Sequence, residues 1–146
     1  MEESILNDIK KMLGLIDPDY TVYDTDIMVA INAAIGILNQ IGIGVEGFFL
    51  TSAQQKWSDL LGSKKYGFQN VKQYVYLKTK VTFDPPTSSF VMDSYQQLIK
   101  ELEWRLNVIY ETNEKAKKDS GCNCEGLTPD QLHTLVDLVD VGEEIP

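Results

Sequence analysis

The stretch from Asp24 to Ile41 constrains the fold of this chain more than any other, because it is apolar on nearly every side. One helical face is set by apolar residues at steps of three and four, namely Ile27, Ile31, Ala34, Ile35 and Leu38. Other faces are apolar too, through Met28, Val29, Ala33 and Ile37. Only a narrow polar strip is left, made of Asn32, Gly36, Asn39 and Gln40. Asp24 or Asp26 is suited to cap the start of this helix and Gly42 to end it.

A helix that is apolar nearly all round must be covered on nearly all sides. The chain has 146 residues and a mass of 16.5 kDa, which suits one domain, or one domain with a tail. In a domain of that size, the helix is either the centre of a bundle or is covered in part by a neighbouring subunit. The sequence leaves both arrangements open.

Two shorter helices are predicted on either side of this segment. Residues 2–13 place four apolar side chains on one helical face, those of Ile5, Ile9, Met12 and Leu13. The run TSAQ at residues 51–54 has the pattern of a capping box, in which Thr51 and Gln54 satisfy backbone groups at a helix start. A short helix is expected to follow it, with Trp57, Leu60 and Leu61 pointing inward.

Residues 68–83 fit two kinds of secondary structure. Alternate residues from 75 to 83 are apolar or Thr, which is typical of a strand. Val71, Tyr74, Val75 and Lys78 also fit one face of a helix. A run of this length without Gly or Pro is long for a strand and ordinary for a helix. The pattern alone does not decide between the two.

The run Asp84-Pro85-Pro86 must end whatever precedes it, because a residue before proline is pushed out of helical geometry. A long helix is predicted next, from 88 to 118, and Glu101 and Arg105 are spaced in it for an i,i+4 ion pair. Its apolar residues keep steps of four and three, namely Val91, Tyr95, Leu98, Leu102, Leu106 and Ile109. We expect Asp84, Pro85 and Pro86 to set the bend between two long helices, with a role in binding as the second interpretation.

Charge is distributed unevenly along the chain. The net charge is −9, with 13 basic and 22 acidic residues. Residues 1–60 hold 9 acids and 3 bases, residues 61–118 hold 6 acids and 10 bases, and residues 119–146 hold 7 acids and no base. The pattern fits two interpretations, complementary surfaces for self-association or solvated helix faces followed by an acidic tail. An acidic chain is repelled by phosphate backbones, so binding to nucleic acid by bulk electrostatics is not expected.

Residues 119–146 form an acidic tail that we expect to be distinct from a helical domain at 1–118. The run TPDQ at 128–131 is typical of a helix start. The short helix predicted after it has one apolar face, made of Leu132, Leu135, Val136 and Val139. A helix this short is marginal on its own, so we expect it to dock on its own bundle or on another chain.

Nothing in the sequence indicates secretion or membrane insertion. The N-terminus reads Met1-Glu2-Glu3, whereas a signal peptide begins with basic residues. The most apolar stretch, residues 27–41, is shorter than the ~20 residues that a bilayer span needs. We therefore expect a soluble, intracellular protein with no membrane partner.

No motif points to catalysis or to a cofactor. The sequence contains no phosphate-binding loop, dinucleotide fingerprint, or hydrolase or metalloprotease motif. Cys122, Cys124 and His133 could bind a soft metal together, but structural zinc takes a full tetrahedral set of ligands with wider thiol spacing. We therefore expect no metal, no cofactor and no enzymatic activity, and two reduced thiols in a solvated segment.

Three runs of the sequence resemble one protein family. They are YVYLK at 74–78, FDPPTSS at 83–89 and KELEWRLN at 100–107. In this order they resemble the head–tail connector proteins of tailed bacteriophages and prophages, also called adaptor or head-completion proteins. DTD at 24–26, LNQIGIG at 38–44 and WSD at 57–59 are similar to the same family. The resemblance spans residues 2–110 and leaves the tail unmatched.

The resemblance implies an all-α fold, a bundle of four to five helices with a long C-terminal helix, and hence a helix at 68–83. It also implies a structural virion protein at the head–tail junction, assembled in the bacterial cytoplasm. About twelve copies would form a ring under the portal protein. The ring would extend the DNA channel, let DNA pass without specific binding, and give the stopper or tail-completion protein a platform.

The residues give modest indications of where partners bind. The tail helix with Leu132, Leu135, Val136 and Val139 is the candidate segment for contact with the portal or with a neighbouring copy. Trp104 and Arg105 are expected in core packing, with Trp57 as a possible partner of Trp104 and Glu101 as the ion-pair partner of Arg105.

Two other functions are compatible with the composition. A small acidic regulator that captures a basic protein would be a monomer or dimer without affinity for a portal. A small hydrolase or metal-dependent enzyme would be built around Cys122, Cys124 and His133.

Overall fold

Five helices in sequence order make up the computed structural model, which describes residues 2–17, 19–63 and 67–121. They are α1 (Ile5–Met12), α2 (Asp24–Ile41), α3 (Trp57–Leu61), α4 (Phe68–Phe83) and α5 (Ser89–Gly121). Within the described residues, the strand geometry amounts to one isolated bridge between Ser4 and Lys56. The predicted all-α fold with a long C-terminal helix is therefore confirmed.

The chain divides into two units, Met1–Tyr110 and Glu111–Pro146. The first holds α1 to α4 and the larger part of α5. Of the second, the structure describes residues 111–121, the last turns of α5, where Lys117 Nζ lies 3.7 Å from Glu114 Oε1. The expected boundary between a domain at 1–118 and a tail at 119–146 stays a prediction.

Helix α2 has the limits that its sequence predicts, but the predicted cap at Asp24 or Asp26 is wrong, because Tyr23 is the N-cap and no side chain caps the helix. It begins at Asp24, whose Oδ1 forms an ion pair of 2.8 Å with Lys10 Nζ of α1. Its last residue is Ile41, and the C-cap Gly42 has a φ of 98° and donates its amide hydrogen to the carbonyls of Leu38 and Asn39. A Cβ at Gly42 would lie 2.5 Å from the Tyr110 ring. Glycine is therefore required there both for the backbone conformation and for the approach of α5.

The core of the first unit forms around α2, which packs against α4 and α1. The inner face of α2 is fully buried at Ile27, Ile31 and Leu38. Helix α3 adds Trp57, Leu60 and Leu61 to this core, as predicted. Helix α5 adds a narrow stripe of Ile99, Leu102 and Leu106. A large part of the α5 circumference is thus not used by the core.

Residues 68–83 form a helix, as the family resemblance implies. The buried residues of α4 include Val71, Tyr74, Val75 and Leu77, whose steps of three and four follow one helical face. The β-branched residues in this segment favour a strand locally, but a helix buries the apolar residues against α2 on one side. Tertiary packing decides where local preference does not.

The connection before α3 differs from the predicted capping box. The side chain of Gln55, not Gln54, bonds to the backbone there: its Oε1 accepts hydrogen bonds from the amides of Thr51 at 2.6 Å and Ser52 at 3.1 Å. Helix α3 begins two residues later at Trp57, and the Lys56 amide donates to Asp59 Oδ2 at 2.8 Å. The predicted capping box at 51–54 is wrong because a side chain one residue further along binds those amides.

Among the described residues, no helix combines the length and the apolar character needed to cross a bilayer.

Candidate interaction surface

One stripe of α2 is left uncovered by the other residues that the structure describes. Val29 is 66% exposed, Ala33, Gly36 and Gln40 are also exposed, and Ile37 is half-buried beside them. These five residues lie at steps of three and four and are called the α2 face below. The described part of the first unit therefore surrounds most of α2 but leaves a largely apolar strip open along its length.

Gly36 lies at the middle of the α2 face. Its φ is not positive, and a Cβ built on it would meet nothing within 4 Å. Neither backbone conformation nor packing within the described chain therefore calls for glycine at this position, in contrast to Gly42.

Trp104 lies on the outside of α5 and is 67% exposed. The prediction that it packs in the core with Trp57 is wrong. Trp57 is fully buried and packs edge-on against Phe68, with ring centroids 5.8 Å apart. Trp104 follows the buried Leu102 by two residues, which turns its side chain about 200° away from that stripe. The predicted ion pair of Arg105 with Glu101 is confirmed at 2.5 Å.

Grooves flank the α2 face at both of its ends. Near its C-terminal end a groove of about 520 Å³ separates α2 from α5; it is lined by Ile37, Gln40, Ile41, Lys100, Glu103, Trp104 and Asn107. Near its N-terminal end a groove of about 380 Å³ separates α2 from α4; it is lined by Tyr23, Asp26, Val29, Ala30, Thr82 and Phe83. The α2 face thus adjoins concave surfaces whose apolar side chains are accompanied by the charged residues Asp26, Glu103 and Lys100.

A polar contact fixes α5 beside α4 at the edge of this surface. The Tyr74 hydroxyl donates a hydrogen bond of 2.8 Å to Glu103 Oε1. Burial raises the pKa of the Tyr74 phenol, and the bond to the Glu103 carboxylate raises it further. Glu103 also lines the next groove, of about 320 Å³, together with Lys78, Val81, Ile99 and Lys100.

A different groove lies on the far side of α4, between α4 and α1. It has a volume of about 370 Å³ and is lined by Met12, Gln69, Lys72, Gln73, Tyr76 and Leu77. Lys78, which faces α5, is two residues beyond Tyr76 and therefore about 200° away around the helix. The chain consequently presents separate concave surfaces on the two sides of α4.

Asp84, Pro85 and Pro86 lie in the connection between α4 and α5, where the sequence predicts the bend. Asp84 ends α4 with a φ of −136°, and its amide donates to the Lys80 carbonyl at 3.0 Å. Its carboxylate accepts a hydrogen bond from Lys80 Nζ, and this bond raises the pKa of the Lys80 ammonium. The three residues join two helices as predicted, whereas their suggested role in binding stays a prediction.

The other predicted site residues lie outside the part of the chain that the structure describes. These are Leu132, Leu135, Val136 and Val139 of the tail helix, and Cys122, Cys124 and His133 of the possible metal site. Within residues 2–17, 19–63 and 67–121, no group of three or more His, Cys, Asp or Glu side chains is placed to hold a metal ion.

The sequence predicts the tail helix as a docking segment, which stays a prediction, and it does not single out the α2 face as a specific surface. The signal was available in the unusual apolar character of α2, with Gly36 in its narrow polar strip. The part of the α2 surface that stays uncovered depends on where α4 and α5 pack, and the apolar periodicity of α2 does not predict those positions.

Comparison with known proteins gives one family. A family model described as phage connector protein matches residues 5–113, from the start of α1 into the last turns of α5. No curated protein and no solved structure matches the chain.

Proposed function

This chain belongs to the phage connector protein family, and from that premise we propose that its copies form a ring beneath the portal of a tailed phage. Membership gives a structural role at the junction of head and tail. The ring, its position and its partners are our proposal. In it, about twelve copies extend the DNA channel and present a platform to the stopper or tail-completion protein.

The observation that carries this proposal is the amount of apolar surface left open on the first unit. Val29, Phe90 and Trp104 are 66%, 79% and 67% exposed, and each lies on a helix rather than on a loop tip. Val29 and Trp104 also line the two grooves beside α2, and exposed apolar surface next to a groove is typical of protein–protein contact sites. Such surfaces suit a subunit that is covered by other subunits in its assembled state.

The charge of the chain suits a channel that DNA crosses. With a net charge of −9, the protein repels phosphate groups overall. DNA that is packaged or ejected can then move past the ring without being held by lysine and arginine contacts, which otherwise dominate binding to its backbone. We assign no residue to the channel lining.

Two segments are proposed to contact other proteins in the assembly. The connection Asp84–Pro86 lies at the exposed turn between α4 and α5 and could meet the portal or the stopper. The tail helix with Leu132, Leu135, Val136 and Val139 is proposed to bind the portal or a neighbouring copy through its apolar face. In this proposal, a chain ending at residue 121 keeps its fold and binds the portal more weakly.

Electron microscopy of the protein mixed with portal rings of the same phage tests the proposed function. We expect an additional ring of density on one end of the portal. A chain that leaves the portal unchanged at saturating concentration would contradict the connector role. A portal variant without its tail-side end is the control for the site of attachment.

A further inference from the structure

The groove of about 320 Å³ between α4 and α5, called the α4–α5 groove below, has the form of a helix-binding site. Its lining from α5 comes at steps of three and four, which belong to one helical face, and consists of Gln96, Ile99, Lys100 and Glu103. From α4 it is lined by Lys78 and Val81, three residues apart. Two helical faces side by side make a groove of the kind into which a third, amphipathic helix packs.

The α4–α5 groove has an excess of positive charge. Among the residues that the structure describes, neither Lys78 nor Lys100 belongs to an ion pair, whereas the other two lysines of α4 are both paired. Glu103 also lines the groove, but it already accepts the hydrogen bond of the Tyr74 hydroxyl. The groove between α2 and α5 shares Lys100 and Glu103 and has no second lysine in its lining. The α4–α5 groove therefore suits a helix that is both apolar and acidic.

The tail of the chain, which lies outside the described residues, has this chemistry in its sequence. Residues 119–146 hold 7 acids and no base. The helix predicted after Thr128 has four apolar residues at steps of three and four, Leu132, Leu135, Val136 and Val139. Asp140 follows Val139 and falls about 100° further around the helix, at the edge of this apolar face. The sequence of the tail thus combines an apolar face with carboxylates.

The apolar face of the tail helix and the α4–α5 groove match in length and spacing. Leu132 and Val139 are seven residues apart, as are Gln96 and Glu103 at the two ends of the groove on α5. Seven residues of helix rise about 10 Å. The intermediate positions have the same steps of three, one and three in both segments. The apolar face can therefore lie along the full length of the groove.

The tail is also long enough to return to the first unit. Seven residue steps separate Gly121 from Thr128, and they extend about 24 Å at most. A helix over residues 129–140 adds about 18 Å. The sum exceeds the diameter of about 35 Å that a compact domain of the size of Met1–Tyr110 has. A tether of this length gives a millimolar effective concentration, so a chain's own groove is filled before that of another copy.

We propose that the acidic tail docks in the α4–α5 groove of its own chain before assembly. The apolar face of the tail helix covers Val81 and Ile99, and the tail carboxylates lie near Lys78 and Lys100. The inference goes beyond the proposed function and does not depend on the ring, because it concerns a chain without partners. The contact with the portal or a neighbouring copy uses the same apolar face, so the two contacts exclude each other.

Zero-length cross-linking of the full-length protein, without portal, tests the proposal. A carbodiimide joins a carboxylate to a lysine amine only where the two groups are in contact, and peptide mass spectrometry identifies the pair. A mixture of unlabelled and ¹⁵N-labelled protein distinguishes links within one chain from links between copies. We expect tail carboxylates to be linked to Lys78 and Lys100 within single chains. Lys78 decides the site, because it lines the α4–α5 groove and not the groove between α2 and α5.

Two matched pairs of variants test the two sides of the contact. Gln96→Glu places a carboxylate in the groove lining, and Gln97→Glu makes the same change on the next residue, which is equally exposed and not part of the lining. Val139→Asn removes an apolar side chain from the predicted face, and Val141→Asn makes the same change about 200° further around the helix. All four variants keep the lysines and tail carboxylates that form the links.

The first variant of each pair should reduce the links and the second should not. We expect Gln96→Glu to lower the yield of tail links to Lys78 about twofold or more, through repulsion of the tail carboxylates. Val139→Asn should lower it about fivefold or more, because an apolar contact is lost. Gln97→Glu and Val141→Asn should cross-link like wild type.

The remaining outcomes overturn the proposal. Links between labelled and unlabelled chains would show that the tail docks on another copy. Tail links that leave out Lys78 would place the tail on a different surface, and an absence of tail links would mean that it does not dock. If all four variants cross-link like wild type, the apolar face and the groove do not hold the tail. None of these results contradicts the connector role, which the experiment with portal rings tests separately.

Discussion

The indole nitrogen of Trp57 donates a hydrogen bond of 2.9 Å to Oδ2 of Asp8, and both side chains are buried. The same carboxylate oxygen lies 2.7 Å from Nζ of Lys72. One aspartate therefore joins α1, α3 and α4. A buried carboxylate is tolerated here because a cation and an N–H donor together replace its hydration.

Replacing Asp8 by Ala should destabilise the fold by about 3–5 kcal/mol, because Lys72 and the Trp57 indole then lose their shared partner. Urea unfolding measures the change in the free energy of unfolding. Glu46→Ala, which removes an exposed carboxylate from a loop, is the control and should change stability by less than about 0.5 kcal/mol. An equally small effect at Asp8 would mean that the cluster does not hold the three helices together.

Gly36→Ala should raise the free energy of unfolding of the chain by about 0.5–1 kcal/mol, because alanine is favoured in helices and its Cβ has free space here. Thermal unfolding of the unassembled protein gives the measurement. A lower melting temperature would show that the glycine serves the fold after all.

Gly42→Ala should have the opposite effect on stability. The φ of 98° is unfavourable for alanine, and the added Cβ would approach the Tyr110 ring. We expect a loss of about 2 kcal/mol or more in the same unfolding experiment. The pair of Gly→Ala changes at the middle and at the end of one helix thus separates a glycine needed for folding from one that is not.

Tyr74→Phe removes the hydroxyl that donates to Glu103 and should cost about 0.5–1.5 kcal/mol at neutral pH. The pKa of Tyr74 is higher in the folded state than in the unfolded state. The stability that the protonated phenol contributes is therefore fully present below the unfolded-state pKa of about 10 and is lost as pH rises above that pKa. Urea unfolding at pH 8 and at about pH 11 should show a smaller loss of stability at high pH for Tyr74→Phe than for wild type. Equal losses would show that other groups cause the alkaline destabilisation.

The two tryptophans should respond differently to truncation. Trp57→Ala should cost about 3–5 kcal/mol, because it leaves a cavity in the core, whereas Trp104→Ala should change stability by less than about 0.5 kcal/mol. Trp104→Ala should instead weaken assembly. Iodide quenching of fluorescence checks the placement independently: one tryptophan should be quenched in the free chain and become protected on assembly.

The helices were largely predictable because their limits are set locally. Gly42 ends α2 by its backbone conformation, and the run Asp84-Pro85-Pro86 ends α4 by sterics. Residues 68–83 were not decided by pattern, because their alternating side chains fit a strand as well. The resemblance of the YVYLK and FDPP runs to connector proteins, rather than periodicity, predicted a helix there.

The interaction surface was less predictable because it depends on how the helices pack. A helical face with Trp104 on it is usually buried, yet the buried residues of α5 are Ile99, Leu102 and Leu106, with Tyr95, Leu98 and Tyr110 partly buried beside them. The width of that stripe depends on where α5 packs over α2 and α4. That packing position cannot be read from any short segment of the sequence. The exposed strip of α2 at Gly36 likewise depends on how the neighbouring helices pack, and the sequence alone does not predict it.

The Asp8 cluster also sets an order of events during synthesis. Its two partners follow 49 and 64 residues later in the chain. Helix α1 therefore cannot reach its final environment until Lys72 of α4 has been synthesised. Until then α2 lacks α4, which covers much of its apolar surface in the folded chain. The nascent chain therefore exposes a long apolar helix that chaperones can bind before its assembly surfaces have formed.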